Sequence, residues 1–254
     1  MNDAKHFQWL IICIFVLFFA LAGVHFYRGY VASKTLRSEV EVTIPEGSTI
    51  YDIDRILSGA GVISQGVLIN STSSLALEGT LFPDTYYFFP SSTVGDVVQK
   101  MEDDFAVKAE PLLVSAGQNA SSDLILASIV QKEVASLTDQ AIVAGILEKR
   151  LAMGIPLDVD ASICYIKQQE YPTSTGACSL DAADFKIDSP YNTYLYRGLP
   201  PGPIGNPGAQ AIEATLNPVS STYLYYLSDP KTGETIYAAT LGQQEANQKK
   251  YLQD

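Results

Sequence analysis

The stretch LILASIVQKEVASL, Leu124–Leu137, is apolar except for serines and the run Gln131, Lys132 and Glu133. At 100° per residue, Leu126, Ile129, Val130, Val134 and Leu137 share one broad arc of a helix. Ser128, Gln131, Lys132 and Ser136 take the opposite side. Glu133 does not join the polar group and lands near the centre of the apolar arc. A carboxylate aimed at a core is costly unless it is paired or protonated. Glu133 is therefore either a satisfied structural acid or a functional one.

Outward from this helix, Ser121 or Ser122 serves as its N-cap with Asp123 in the first turn. A second helix is expected from Thr138 to about Met153, with Ile142, Val143, Ile146, Leu147 and Leu151 as its stripe and Gly154 as its stop. IPLDVDASICY reads as extended. Residues 189–208, SPYNTYLYRGLPPGPIGNPG, form a long loop restricted by prolines and turned by glycines. The helix AQAIEATLN follows, then a β-hairpin of STYLYYLSD and ETIYAAT around PKTG, then a polar helix reaching Tyr251. Toward the N-terminus, residues 40–64 read as a strand, a Pro-Glu-Gly turn and a helix capped by Ser48. DTYYFF suits a strand, and Val94, Val97, Val98, Met101 and Phe105 recur at helical spacing. The fold class is α+β.

The 254 residues carry a formal net charge of −12, which argues against nucleic acid and against an anionic membrane surface as partner. Fifteen tyrosines suit a carbohydrate cleft and equally suit ordinary cores and interfaces. Phe7–Tyr27, FQWLIICIFVLFFALAGVHFY, has no charged residue and is long enough to cross a bilayer. It reads as a retained single-pass anchor, with a signal peptide cleaved near Ala20–Ala22 as its rival. Lys5 precedes the span while Arg28, Lys34 and Arg37 follow it, so basic residues alone would place the C-terminal side in the cytoplasm. Cys13 lies within the span. Cys164 and Cys178 form either a disulfide or two reduced thiols. The two histidines, His6 and His25, flank the span and supply no ligand cluster, so no metal or other cofactor is expected.

Beside Glu133, four residues stand out. Glu78 lies in LEGTLFPDTYYF, Asp160 in LDVD, and Tyr191 and Asn192 in the Pro/Gly loop. Each also has a plain reading, as a turn cap, a turn residue or a loop brace. LEGTLFPDTYYF, ASIVQKE, EKRLAMGIPLDVDASICY and SPYNTYLYRGLPPGPIGNPGAQAIEATLNP, in that order, resemble the YceG-like family of endolytic murein transglycosylases, over about Leu77–Leu252. The resemblance implies a short tail (1–6), a membrane anchor (7–27), a linker (28–39), a shortened LysM-like β-α subdomain (40–76) and a larger α+β catalytic domain (77–254).

It further implies a cell-membrane protein with its catalytic domain outside the cytoplasm. The implied reaction is cleavage of β-1,4 MurNAc–GlcNAc bonds in nascent peptidoglycan strands to leave 1,6-anhydroMurNAc ends, and the implied partners are glycan strands and peptidoglycan polymerases. The family's catalytic Glu falls on Glu133. Glu78, Asp160, Tyr191 and Asn192 become substrate-binding candidates. Where the family often has His in its last helix, this chain has Gln244. Two rival readings are a non-catalytic glycan-binding scaffold and a glycoside hydrolase that pairs Glu133 with Asp160.

Overall fold

The computed structural model describes residues 18–24, 38–71, 74–115, 117–172 and 178–252, which fall into two compact units, 1–39 and 40–254. In the first, residues 18–24 are helical and expose Phe18, Phe19, Leu21 and Val24. The remainder of the expected anchor lies outside the described residues. Among the described residues no helix is long and apolar enough to cross a membrane.

The second unit begins with strand β1, Val40–Thr43, paired antiparallel with β2, Thr85–Phe88, so that Val42 opposes Tyr86 and Val40 opposes Phe88. Residues on one face of such a pair point the same way, and Val42, Tyr86 and Phe88 are buried. Helix α1, Ile50–Gly59, packs on that face. Its cap is Thr49, because Asp52 three residues on completes a capping box. Ser48, expected as the cap, instead turns its hydroxyl to the Pro45 carbonyl at 2.6 Å. Ile44, Ile53, Leu57, Leu68 and Met101 complete this core. Met101 comes from α2, Val94–Lys108, capped by Thr93 and Asp96. The expected boundary at 76/77 thus falls inside one unit, with β1 pairing β2 across it.

A short helix α3, Glu110–Ser115, leads to α4, Ala120–Glu133. Next come α5, Leu137–Ala152, and α6, Asp160–Glu170, then α7, Ala209–Leu216. The chain closes with the hairpin β3, Tyr225–Ser228, and β4, Thr235–Ala238, and with helix α8, Leu241–Tyr251.

Four expectations are corrected here. Helix α4 starts at Ala120 with Ser121 and Ser122 inside it. It does not run to Leu137: Val134 has φ −144° and ψ 142°, so Glu133 is its last residue. Nor is α4 one-sided, since Ile125 through Val130 are all buried, Ser128 included. A helix enclosed by neighbours needs no polar face, and the Ser128 hydroxyl is satisfied by the Ile125 carbonyl and the Ile204 N–H. Finally, of the stretch 155–165 expected to be extended, the residues from Asp160 onward are helical, in a helix that runs to Glu170.

The loop 189–208 is hydrogen-bonded to α4 through the Ile204 and Gly208 N–H groups and passes close to the backbone at Gly47. A Cβ on Gly205 would lie 2.7 Å from the Gly47 carbonyl oxygen and 3.0 Å from Lys132 Cε, so only glycine lets the loop pass. Asn206 closes the same junction, donating to the Ser48 carbonyl and accepting from the Leu81 N–H.

Candidate active site

Glu133 sits at the C-terminus of α4, and the break at Val134 turns its side chain toward the hairpin. The Tyr226 hydroxyl, from β3, donates to Glu133 Oε2 at 2.9 Å. The Ala161 N–H in the first turn of α6 is a second donor. Burial pushes the Glu133 carboxyl up to about 7; Tyr226 and Ala161 pull it down, and the charge of Asp160 adds to the rise. A carboxyl at that value exchanges a proton near neutrality, as a general acid or base must.

Asp160 opens α6 and accepts the hydroxyl of Tyr194 in a short hydrogen bond. Tyr194 is held from behind. Asn192 Oδ1 accepts from the Tyr194 N–H at 3.0 Å, while Asn192 Nδ2 donates to the Phe185 and Ile187 carbonyls. Thr193 Oγ1 accepts from the Val159 N–H at 2.9 Å. The Asn-Thr-Tyr segment therefore fastens the loop to the start of α6 and sets Asp160 against Glu133. On the other side, Arg150 of α5 donates to the Pro156 and Leu224 carbonyls and pairs with Asp158, whose φ is +51°. It ties α5 to the turn before α6 and to the hairpin entry.

Two cavities meet at this acid pair. The larger, of 540 Å³, is lined by Glu133, Asp160, Arg150, Tyr194, Tyr226 and Gln244 among others. The smaller, of 350 Å³, is lined by Glu133, Asp160, Lys132, Thr49, Tyr165 and Gln168, with Cys164 and Cys178 at its edge. Those cysteines are joined in a disulfide. Both volumes lie in the range of ordinary small-molecule sites.

Of the five candidates, Glu133 and Asp160 come together in the cleft. Asn192 is fully buried and braces the loop. Tyr191 packs at a tilt against Tyr165 with ring centroids 5.1 Å apart. Glu78 is buried, accepting from the Ile50 N–H, the Tyr165 hydroxyl and Asn206 Nδ2. Desolvation drives its carboxyl up to about 7 against those donors. None of these three lines either cavity.

The sequence reading passed over Tyr226, Tyr194 and Arg150. Tyr194 lies two residues from Asn192 in the same motif, so it was within reach; nothing in the sequence marks Tyr226 among fifteen tyrosines. Gln244 donates its side-chain amide to the Tyr226 carbonyl at 2.9 Å. Asp229 and Glu234 are hydrogen-bonded in the ladder, so by alternation Tyr226 turns its carbonyl to the free edge of β3. Helix α8 covers that edge with Gln244 and so bears on the residue that holds Glu133.

Known proteins are similar to this chain. The endolytic murein transglycosylase of Streptococcus pneumoniae serotype 2 (strain D39) is 33% identical over 172 residues, covering 66% of this chain and 31% of that protein. The endolytic murein transglycosylase of Bacillus subtilis (strain 168) is 31% identical over 189 residues, covering 73% of this chain and 51% of that protein. The matches thus span about a third to a half of these relatives' length. A crystal structure of a putative YceG-like protein from Listeria monocytogenes superposes with a TM-score of 0.69 at 26% identity, over 83% of this chain and 76% of that one. The model of the YceG-like family matches residues 28–250, and with that match extending over both the cleft and the loop that braces it, the chain belongs to the YceG-like family.

Proposed function

We propose that this protein is an endolytic peptidoglycan lytic transglycosylase and that Glu133 is its acid–base residue. The observation that carries the reading is one partly buried carboxyl, raised to about 7, at the meeting point of two cavities. An enzyme that cuts within a strand needs sugar on both sides of its acid.

Protonated Glu133 gives its proton to the glycosidic oxygen as the C1–O bond breaks, releasing the GlcNAc 4-hydroxyl. The MurNAc C6 hydroxyl then closes on C1, and Glu133 takes its proton back. No water is consumed, and one carboxyl serves both transfers. Asp160 faces the oxocarbenium-like charge, oriented by Tyr194. Asn192 and Tyr191 act behind that pair as braces, and Glu78 joins α1 to α6 and to the loop.

Residues 7–27 serve in this proposal as a membrane anchor, 40–76 as a shortened LysM-like element, and 77–254 as the catalytic part. The disulfide supports an extracytoplasmic site, since such bonds persist in oxidising compartments. Peptidoglycan strands are the substrate, and a peptidoglycan polymerase is the expected neighbour.

The test incubates the full chain, in detergent, with uncrosslinked strands and reads new ends by mass spectrometry, beside Glu133→Gln. Anhydro ends with wild type, lost by a factor of about 10²–10⁴ in the variant, are expected. Asp160 in the same wall favours one second reading, hydrolysis by a carboxyl pair; reducing ends in place of anhydro ends would select it. Strands bound and never cut would select the scaffold.

A further inference from the structure

The smaller cavity contains a feature that the acid–base chemistry does not use. Lys132, an exposed residue next to Glu133, is the one cation among the residues lining it. Its stem runs past Gly205, where a Cβ would come within 3.0 Å of Lys132 Cε, so the loop is shaped to admit it. Asp52 and Glu78 attract it electrostatically, yet their oxygens already have other partners. Asp52 accepts from Arg55 at 2.8 Å and from Gln168 at 3.0 Å. Glu78 accepts from Ile50, Tyr165 and Asn206. Among the described residues, no carboxylate forms an ion pair with Lys132 within 4 Å. Nor does Lys132 rank among the influences on Glu133, which are burial, Tyr226, Asp160 and Ala161.

A chain of net charge −12 thus holds one cation in this arm of its cleft, near carboxylates that act on it at longer range but, among the described residues, in no close ion pair. We propose that Lys132 is a carboxylate-binding subsite beside the bond to be cut, framed by Thr49 and Gln168. Those two residues are locked to each other by a 2.9 Å hydrogen bond and form a fixed rim. The inference rests on the glycan-cleaving reading and adds to it the substrate group recognised. MurNAc offers that group from two sources: the lactyl carboxylate on bare strands, or the stem-peptide carboxylates where the lactyl group is amidated. An ammonium acts as a point charge and accepts either.

The test measures affinity on the Glu133→Gln chain, with and without Lys132→Met, for three ligands. Chitooligosaccharides carry no carboxylate, bare MurNAc–GlcNAc strands carry the lactyl group, and peptide-bearing strands carry the stem. Lys132→Met keeps an unbranched side chain of similar length and removes the charge. A charge-assisted contact predicts a loss of about tenfold or more on carboxylate-bearing strands and none on chitooligosaccharides. Loss confined to bare strands identifies the lactyl source, and loss confined to peptide-bearing strands identifies the stem. Equal loss on all three ligands, or none on any, overturns the subsite. If Lys132→Met does not fold, added salt replaces it: weakened binding of carboxylate-bearing strands alone supports the subsite, and a uniform response overturns it. Failure of the cleavage reading is read separately, as the absence of cut strands with the wild-type chain.

Discussion

At Glu133, neighbours that act in opposite directions allow a paired prediction. Tyr226 donates to the carboxylate and favours its ionised form, whereas the charge of Asp160 opposes ionisation. A reaction that starts from the protonated acid is lost as pH rises through the Glu133 pKa. Tyr226→Phe should therefore move the alkaline limb of the pH–rate profile upward by about one unit. Asp160→Asn should move it downward. Shifts in the same direction would refute this electrostatic account of Glu133. The helical wheel put Glu133 on an apolar arc reaching Leu137, but α4 ends at Glu133 and the break at Val134 directs its side chain. Its partners were not legible, because Tyr226 lies 93 residues away along the chain.

At the scale of elements, Gly145 in the middle of α5 gives a prediction that reverses the usual sign. An exposed mid-helix glycine changed to alanine gains up to about 1 kcal/mol in helix propensity. Here a Cβ would stand 2.3 Å from the Val219 carbonyl oxygen, on a segment whose Val219 N–H is bound to the Ala141 carbonyl. That contact is with backbone, which cannot swing aside. Gly145→Ala should destabilise the protein by about 1–3 kcal/mol, read as a lower urea midpoint; an unchanged or higher midpoint would show that the 218–224 segment yields freely. Hairpin β3–β4 and helices α5, α7 and α8 were legible from turn residues and apolar stripes. Helix α6 was not. Ile163, Tyr165 and Ile166 suit a strand locally, and its N-terminus is stapled by Thr193 from a distant loop.

For the whole molecule, the buried Glu78 couples stability to pH. Its carboxyl is raised from 4.5 to about 7 by burial, so the folded protein keeps a proton that the unfolded chain releases. The stabilisation is complete below the unfolded value, shrinks as pH rises through the interval up to about 7, and is constant above it. At about 1.4 kcal/mol per pKa unit, Glu78 accounts for a fall of ~3 kcal/mol across that window. Urea unfolding from pH 4.5 to 8 should show the fall, and Glu78→Gln should remove its share of the slope and leave that of Glu133. A slope unchanged in the variant would assign it to Glu133, whose carboxyl is raised in the same direction.

What the sequence by itself determined are properties that local spacing carries: the α+β class, the loop 189–208 and the acidic balance that sets nucleic acid aside. Tertiary structure decided which groups meet. It ended α4 at Glu133 instead of Leu137, separated Glu78, Tyr191 and Asn192 from the cavity walls, and joined Cys164 to Cys178. It also brought Tyr226 and Tyr194 to the acid pair. The physical reason is range. Propensity, capping and amphipathic period act within a few residues, whereas the cleft is made by contacts between segments tens of residues apart, and those exist only once the core has closed.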